Sequence, residues 1–369
     1  MPEDNKLLAG IRRFIDGKGE THTEKKRHRV RFILVSGFVL LLIMFTLAIC
    51  VGPNGVMNPI DAYSNLFSAI GKSSNEMTID EVTVFSSRMP RAIAAIAVGI
   101  GLSIAGAAYQ AVIRNPLVDP YIMGVSSGAG TFAIATIAYG FTFFGLMSSH
   151  SPFLIAVASI VGGLLAFAAT MILAQRAGAS ANAYVLSGVV IGLVFGAIQT
   201  IMIIFSGNAV SNTLLWLFGS FSNIDRTETL CILIPVIILS VVIMSRAKGL
   251  NLILLGEGQA KQMGLNVRQF NATILILASI LASFCVAFCG IIGFVGLIIP
   301  HLCRILFGGD HRIMLPACIA FGGSLLIGAD LLARLVMPGL ELPIGAITTL
   351  IGVPVFAYLL FKRGKIYNG

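Results

Sequence analysis

The residues of this chain that could do chemistry are few, and none stands in a catalytic pattern. Cys285 and Cys289 lie four apart on one helix face, a spacing that a metal or a redox couple could use. No His or acid joins them at ligand spacing, so they read as small buried residues. His301 follows Pro300 in IIPHLCR, where a hydrogen-bonded structural histidine is the simpler reading. Asp330 and Arg334 are four apart near the end of an apolar run, the spacing of an i,i+4 ion pair. No Ser/His/Asp set and no paired carboxylates stand out. The phosphate-cradling string GxxxxGK followed by Ser or Thr does not occur. GIGLSIAG has the wrong glycine spacing for a dinucleotide site and lies inside an apolar run.

Arg88 and Arg91 raise a different question. They stand three apart in SSRMPRAIAAIAVGIGLSIAGAAYQ, at the entrance to a long apolar run. A helix starting at Pro90 would have its positive dipole end there, where cations gain nothing.

The elements that must hold these residues are apolar. Of 369 residues, 57% are hydrophobic and only 11% charged, where soluble domains run near one quarter charged. That balance implies an all-α polytopic membrane protein. The formal charge of +9 would favour nucleic acid in a soluble protein. Here the positive-inside rule accounts for it, and no nucleic-acid partner is expected. At about 20 apolar residues per span, we read ten: 32–51, 91–112, 122–144, 153–174, 184–206, 228–245, 270–289, 291–307, 313–335 and 343–361. CGIIGFVGLIIP makes the break between the seventh and eighth glycine-rich rather than polar. Residues 1–31 form a basic arm over the anionic inner leaflet and do not read as a signal peptide. Residues 32–363 form the membrane domain and 364–369 a tail. With both termini cytoplasmic, 20 of 25 Lys and Arg face inward. The outside keeps Lys72, Arg88, Arg91, Arg226 and Arg334. There, against the charge bias, Arg88 and Arg91 read as a dock for an acidic partner, with snorkelling anchors as the alternative. Gly188, Gly192 and Gly196 make a GxxxGxxxG face in the fifth span, suited to helix packing or to lining a pathway.

Three stretches are more than apolar filler. In YQAVIRNPLVDPYIMGVSSGAG, Asn115-Pro116 and Asp119-Pro120 break the helix on the cytoplasmic side. In 246–270, Gly256, Gly258 and Gly264 divide an amphipathic segment into one or two short helices. Such a segment suits either the headgroup layer or a soluble partner. The third runs through GFVGLIIPHLCRILFGGDHRIMLP to ELPIGAITTLIGVPVF.

Together these blocks resemble the iron-chelate and cobalamin (FecCD-type) permease family of bacterial and archaeal ABC importers, in order and spacing, from about residue 85 to 363. RMPRAIAAIAVGIGLSIAGAAYQAVIRNPLVDPYIMGVSSGAG carries most of the likeness, with LGEGQAKQMGL and DHRIMLP. The resemblance implies the ten-helix type II importer permease fold, with two copies, a homodimer by default, around one pathway in the inner membrane. Two cytoplasmic ATPase subunits would bind ATP and Mg, so this chain itself needs no cofactor and is no enzyme. An extracytoplasmic binding protein would deliver the metal chelate: iron-siderophore or haem first, cobalamin next. By the same resemblance, Leu255, Gly256, Glu257, Ala260, Met263, Gly264 and Leu265 would dock in the ATPase, with Met263 standing where Leu is usual. Asn115 and Leu117 would belong to the cytoplasmic gate. Ala181 and Asn182 would form its second element, with small residues where the family has hydroxyls. Arg88, Arg91 and Arg334 would meet acids on the two lobes of the binding protein. The alternative is an ion-coupled secondary carrier without ATPase partners, although buried mid-span charge, its usual mark, is scarce. A membrane enzyme would need buried acids, histidine clusters or a metal site, which the sequence does not offer.

Overall fold

The computed structural model describes residues 22–52, 55–73, 75–141, 151–222, 224–337 and 341–367. Most of the expected arm 1–31 lies outside them. Helix α1 (His22–Cys50) leads into a two-residue hairpin, β1 (Val51–Gly52) against β2 (Gly55–Val56). A short α2 (Pro59–Ser68) comes next, then α3 (Ile79–Val82), a π-helical turn (Thr83–Arg88) and α4 (Met89–Ile113) without interruption. Beyond them lie α5 (Val125–Tyr139), α6 (Pro152–Arg176), α7 (Ala181–Ile204), α8 (Val210–Phe218) and α9 (Arg226–Ser245). The short α10 (Ala247–Leu254) and α11 (Glu257–Gln262) precede α12 (Val267–Ala287), α13 (Val295–Phe307), α14 (His311–Leu335) and α15 (Ile344–Tyr367). The last helix continues through most of the residues expected as a tail.

Each of the ten expected apolar segments holds a helix. Seven are long and apolar enough to cross a membrane by length and composition; Val125–Tyr139, Val295–Phe307 and Ile344–Ala357 are shorter. At 1.5 Å per residue, α13 spans only about 20 Å of a hydrocarbon core of about 30 Å. The backbone before it is irregular, with Gly290 and Phe294 left-handed. Protein groups satisfy this stretch: Ser220 N donates to Cys289 O (2.8 Å), and Ile292 N to the Tyr121 hydroxyl (3.3 Å). Non-helical backbone survives at membrane depth only where protein supplies such partners.

Helix α4 is the axis of the chain, buried along most of its length. Its Ala- and Gly-rich sequence lets neighbours come to backbone distance. A methyl added at Gly106 would run into the Gly296 carbonyl of α13, and one at Gly99 into the Gly322 carbonyl of α14. Without a hydrophobic drive between helices in lipid, this close packing is what holds them. The Tyr109 and Ser279 hydroxyls hydrogen-bond across α4 and α12, and Gln110 Nε2 donates to Leu297 O (3.1 Å). Cys285 and Cys289 are buried in the same core, where the Cys289 thiol donates to Cys285 O. His301 is buried too, its ring edge toward Phe356.

The glycine face of α7 divides. Gly188 abuts the Ile122 carbonyl, Gly192 has only Ser127 Oγ near it, and Gly196 meets nothing. Packing within the chain therefore uses one glycine of the three. Half of α7 is exposed, including Leu186, Leu193, Val194 and Ile201.

Candidate functional site

At the end expected to face outward, the helix carrying Arg88 and Arg91 does not start at Pro90. It starts at Ile79, where Thr78 Oγ1 accepts from Glu81 N and the Glu81 carboxylate accepts from Thr78 N, a capping box. Eleven residues, about three turns, separate this start from Pro90. The dipole objection to the arginines thus disappears, because neither lies in the first turn.

Arg88 lies instead at the negative end of another helix. Its Nη1 donates to Ile49 O (2.9 Å) and Cys50 O (2.7 Å), the last carbonyls of α1, and its Nη2 to Gly55 O in the hairpin (3.3 Å). A cation is favoured at a helix C-terminus, and these carbonyls lack helical donors. Arg91 joins two acids. Its Nε donates to Asp330 Oδ1 (2.9 Å), while Nη1 and Nη2 hold the Glu341 oxygens at 2.8 and 3.0 Å. Arg334 Nη2 lies 3.0 Å from Asp330 Oδ2, the expected i,i+4 pair. Asp330 is wholly buried between the two guanidinium groups, and only Glu341 keeps an exposed side, at 34%. The other two outer cations are also engaged: Lys72 by Glu81 (2.6 Å), and Arg226 over the Phe85 ring with a hydrogen bond to Ser86 Oγ. Each positive charge left outside thus has a structural partner within the chain.

Of the three expected docking arginines, Arg91 and Arg334 are brought together on Asp330, Arg88 holds the end of α1 instead, and all three are buried. Sequence reasoning missed that Arg91 completes the Asp330–Arg334 pair. The available signal was Glu341 and Asp330, two acids near an outer end that holds three arginines.

At the opposite end, expected to face the cytoplasm, the segment 246–270, read as one or two short helices, forms two, α10 and α11, separated by Gly256 (φ 110) and closed by Gly264 (φ 86). The root of the pair is Asn251. Its Nδ2 donates to Asp310 Oδ1 (2.7 Å), and its Oδ1 accepts from His311 N (2.9 Å), fixing α10 to the base of α14. Ala260 is buried, whereas Leu254, Leu255 and Met263 are exposed, Met263 at 62%. Glu257 and Gly264 are also exposed, with Gly256 and Leu265 half-buried.

The Asn115 turn lies beside this segment. Asn115 Oδ1 accepts from Leu117 N (2.9 Å), and Leu117 is exposed. Asp119 Oδ1 accepts from the Tyr121 and Ile122 amides (3.1 and 2.9 Å). Burial pushes its carboxyl up to about 6, against the lowering effect of those two donors. Ala181 and Asn182 are exposed at the start of α7, where Ser180 Oγ caps Ala183 N (3.1 Å). Arg114, which ends α4, reaches Glu257 at 3.2 Å. This was not foreseen, since two exposed charges so far apart in sequence give no local signal.

Comparison with known proteins bears on the family of the chain. The FecCD transport family matches residues 40–362. A Bacillus subtilis protein named as an ABC transporter permease, YvrB, is 36% identical over 340 residues, covering 90% of this chain and 94% of its own. The vitamin B12 import system permease protein BtuC of Photorhabdus laumondii is 36% identical over 353 residues, covering 93% and 96%. A solved structure described as an inward-facing conformation of a metal-chelate type ABC transporter matches with a TM-score of 0.77 at 28% identity. It covers 90% of this chain and 99% of that one.

Proposed function

The chain belongs to the FecCD transport family, and from that premise we propose that it is the membrane permease of an ABC importer for a metal chelate. It is a multi-pass membrane protein and does no chemistry on its cargo. The observation that carries this reading is the cytoplasmic α10–α11 segment. Rooted at Asn251, it presents Leu254, Leu255 and Met263 to its surroundings. Exposed apolar groups on a fixed support are the form of a protein-docking surface. ATPase subunits holding ATP and Mg would seat there, at the inner membrane's cytoplasmic face, around two copies of the chain.

The geometry leaves cargo selectivity wide. The exposed apolar side of α7 suits a large chelate with little surface charge, because tight polar sites would hinder release. Iron-siderophore and haem fit this description, as does cobalamin, the cargo in the name of the BtuC relatives. Docking of an acidic binding protein at the expected Arg88, Arg91 and Arg334 would require Arg91 to exchange Glu341, the exposed rim of the Arg91–Asp330–Arg334 cluster, for a carboxylate of the partner. Glu341→Gln leaves Arg91 Nη1 and Nη2 short of a carboxylate and should tighten that docking; unchanged or weaker docking removes Arg91 from the contact.

The test is uptake into vesicles that hold this chain with a P-loop ATPase and a binding protein. Cyanocobalamin, a ferric hydroxamate and haem serve as probes. ATP-dependent accumulation of one of them is expected. Uptake that needs no ATPase and stops when ion gradients are collapsed would replace this reading with a secondary carrier.

A further inference from the structure

We propose that Arg114 is the positioning residue that carries movement of the α10–α11 segment into the cytoplasmic gate, by holding Glu257. The proposal rests on the importer reading above and assigns a role within it. Three observations converge. First, Arg114 has φ 53 and ψ 34, the left-handed region. Glycine is the default there, and a side chain is strained. The backbone turn itself does not call for arginine at this position. Second, that side chain is paired: its Nη2 lies 3.2 Å from Glu257 Oε1, at the first residue of α11. Third, the pair joins the right parts. Arg114 directly precedes Asn115 and the turn that presents Leu117. Glu257 is the one acid among these gate and coupling residues.

The two attachments of the segment differ in kind. At Asn251 it is held by several hydrogen bonds to Asp310 and His311. At Glu257 it is held by one ion pair whose side chains are 37% and 56% exposed. Such exposed pairs are weak, worth about a twofold to fivefold change in an equilibrium. A contact of that strength can break and re-form during a cycle. The first attachment is a pivot, and the second moves the gate.

The test reads the gate without needing the cargo. Leu117→Cys is introduced into the chain, assembled with its ATPase in inside-out vesicles, and labelled with a membrane-impermeant maleimide with and without ATP. The chain lacking this substitution gives the blank for the native cysteines, five of which are buried. The ATP-dependent change in labelling rate is expected to shrink about twofold to fivefold in Arg114→Glu and in Arg114→Gly. It should return in Arg114→Lys and largely return in Arg114→Glu with Glu257→Arg. Arg114→Gly is decisive, because glycine suits the left-handed turn better than arginine does. If Arg114 served only to end α4, Arg114→Gly would keep the full ATP response, and that result overturns the proposal. So does a charge exchange that restores nothing over the single reversals. Co-purification of the ATPase with the unaltered chain is measured alongside: its failure sinks the importer reading, and the present proposal with it.

Discussion

The end expected to face outward and the end expected to face the cytoplasm both use charge, in opposite ways. Outside, Arg91, Asp330 and Arg334 are buried, and the acid is gripped from two sides. Inside, Arg114 and Glu257 meet once, in the open. Charges removed from water hold each other only with good geometry, and losing one partner strands the rest. Exposed charges exchange partners at little cost. The outer network therefore locks α4, α14 and the segment at Glu341 into one unit, and the inner pair is suited to change. A transporter that is worked from one side needs such a difference in stiffness between its ends.

The contrast can be broken in order of size. Asp330→Asn should do most damage, about 3–5 kcal/mol, because it leaves two buried guanidinium groups facing a neutral amide. Thermal unfolding of the detergent-purified chain would show it, and an unchanged midpoint would mean that the network is slack. Arg88→Met comes next, at about 1–3 kcal/mol, since Ile49 O loses its donor and Cys50 O keeps only the Met57 amide. The same melt reports it, with faster hydrogen exchange expected at residues 47–56. Asn251→Ala should cost about 1–2 kcal/mol, but locally: exchange should rise across 247–265 while the outer end is unaffected. Spread of protection loss to the outer end would refute the separation of the two regions.

The smallest effect concerns pH. The Asp119 carboxyl is pushed up to about 6 in the folded chain, so its ionised form is disfavoured there. Its burden on stability is absent below its ordinary acid range, near pH 4, and grows as pH rises to about 6, above which it is fully present. Asp119→Asn, which still offers an oxygen to the Tyr121 and Ile122 amides, should flatten this slope between about pH 4 and 6.5. It should raise the midpoint by about 2–4 °C at pH 7. Parallel pH profiles for the two chains would show that Asp119 titrates normally.

The spans were legible because apolar runs and the Lys/Arg bias are summed over many residues. So was the division of 246–270, since glycine marks backbone that a side chain would strain. The helical stretch from Ile79 that runs into α4 was missed for a physical reason. Proline at position 90 is compatible with a helix start, yet Thr78 with Glu81 forms the true cap, and the π-turn carries the chain through. The partners of Arg88, Arg91 and Arg114 were invisible because they lie in other helices. Only the Asp330–Arg334 pair, a contact within one turn, could be seen in advance.

The π-turn at Thr83–Arg88 has its own consequence. A π-turn holds one residue more than the α-helical turn it replaces, so it acts as an angular offset of about 100° between α3 on one side and α4 on the other. Deleting a single residue from 83–87 would let the helix relax to α-helical winding while Arg91 stays fixed by Asp330. Helices α2 and α3 would then be turned about the helix axis like a dial, while the hairpin stays held by Arg88. Insertions and deletions in this stretch should thus re-aim the outer surface while the membrane core keeps its registration. That makes the turn a place where one permease body can be fitted to differently shaped partners.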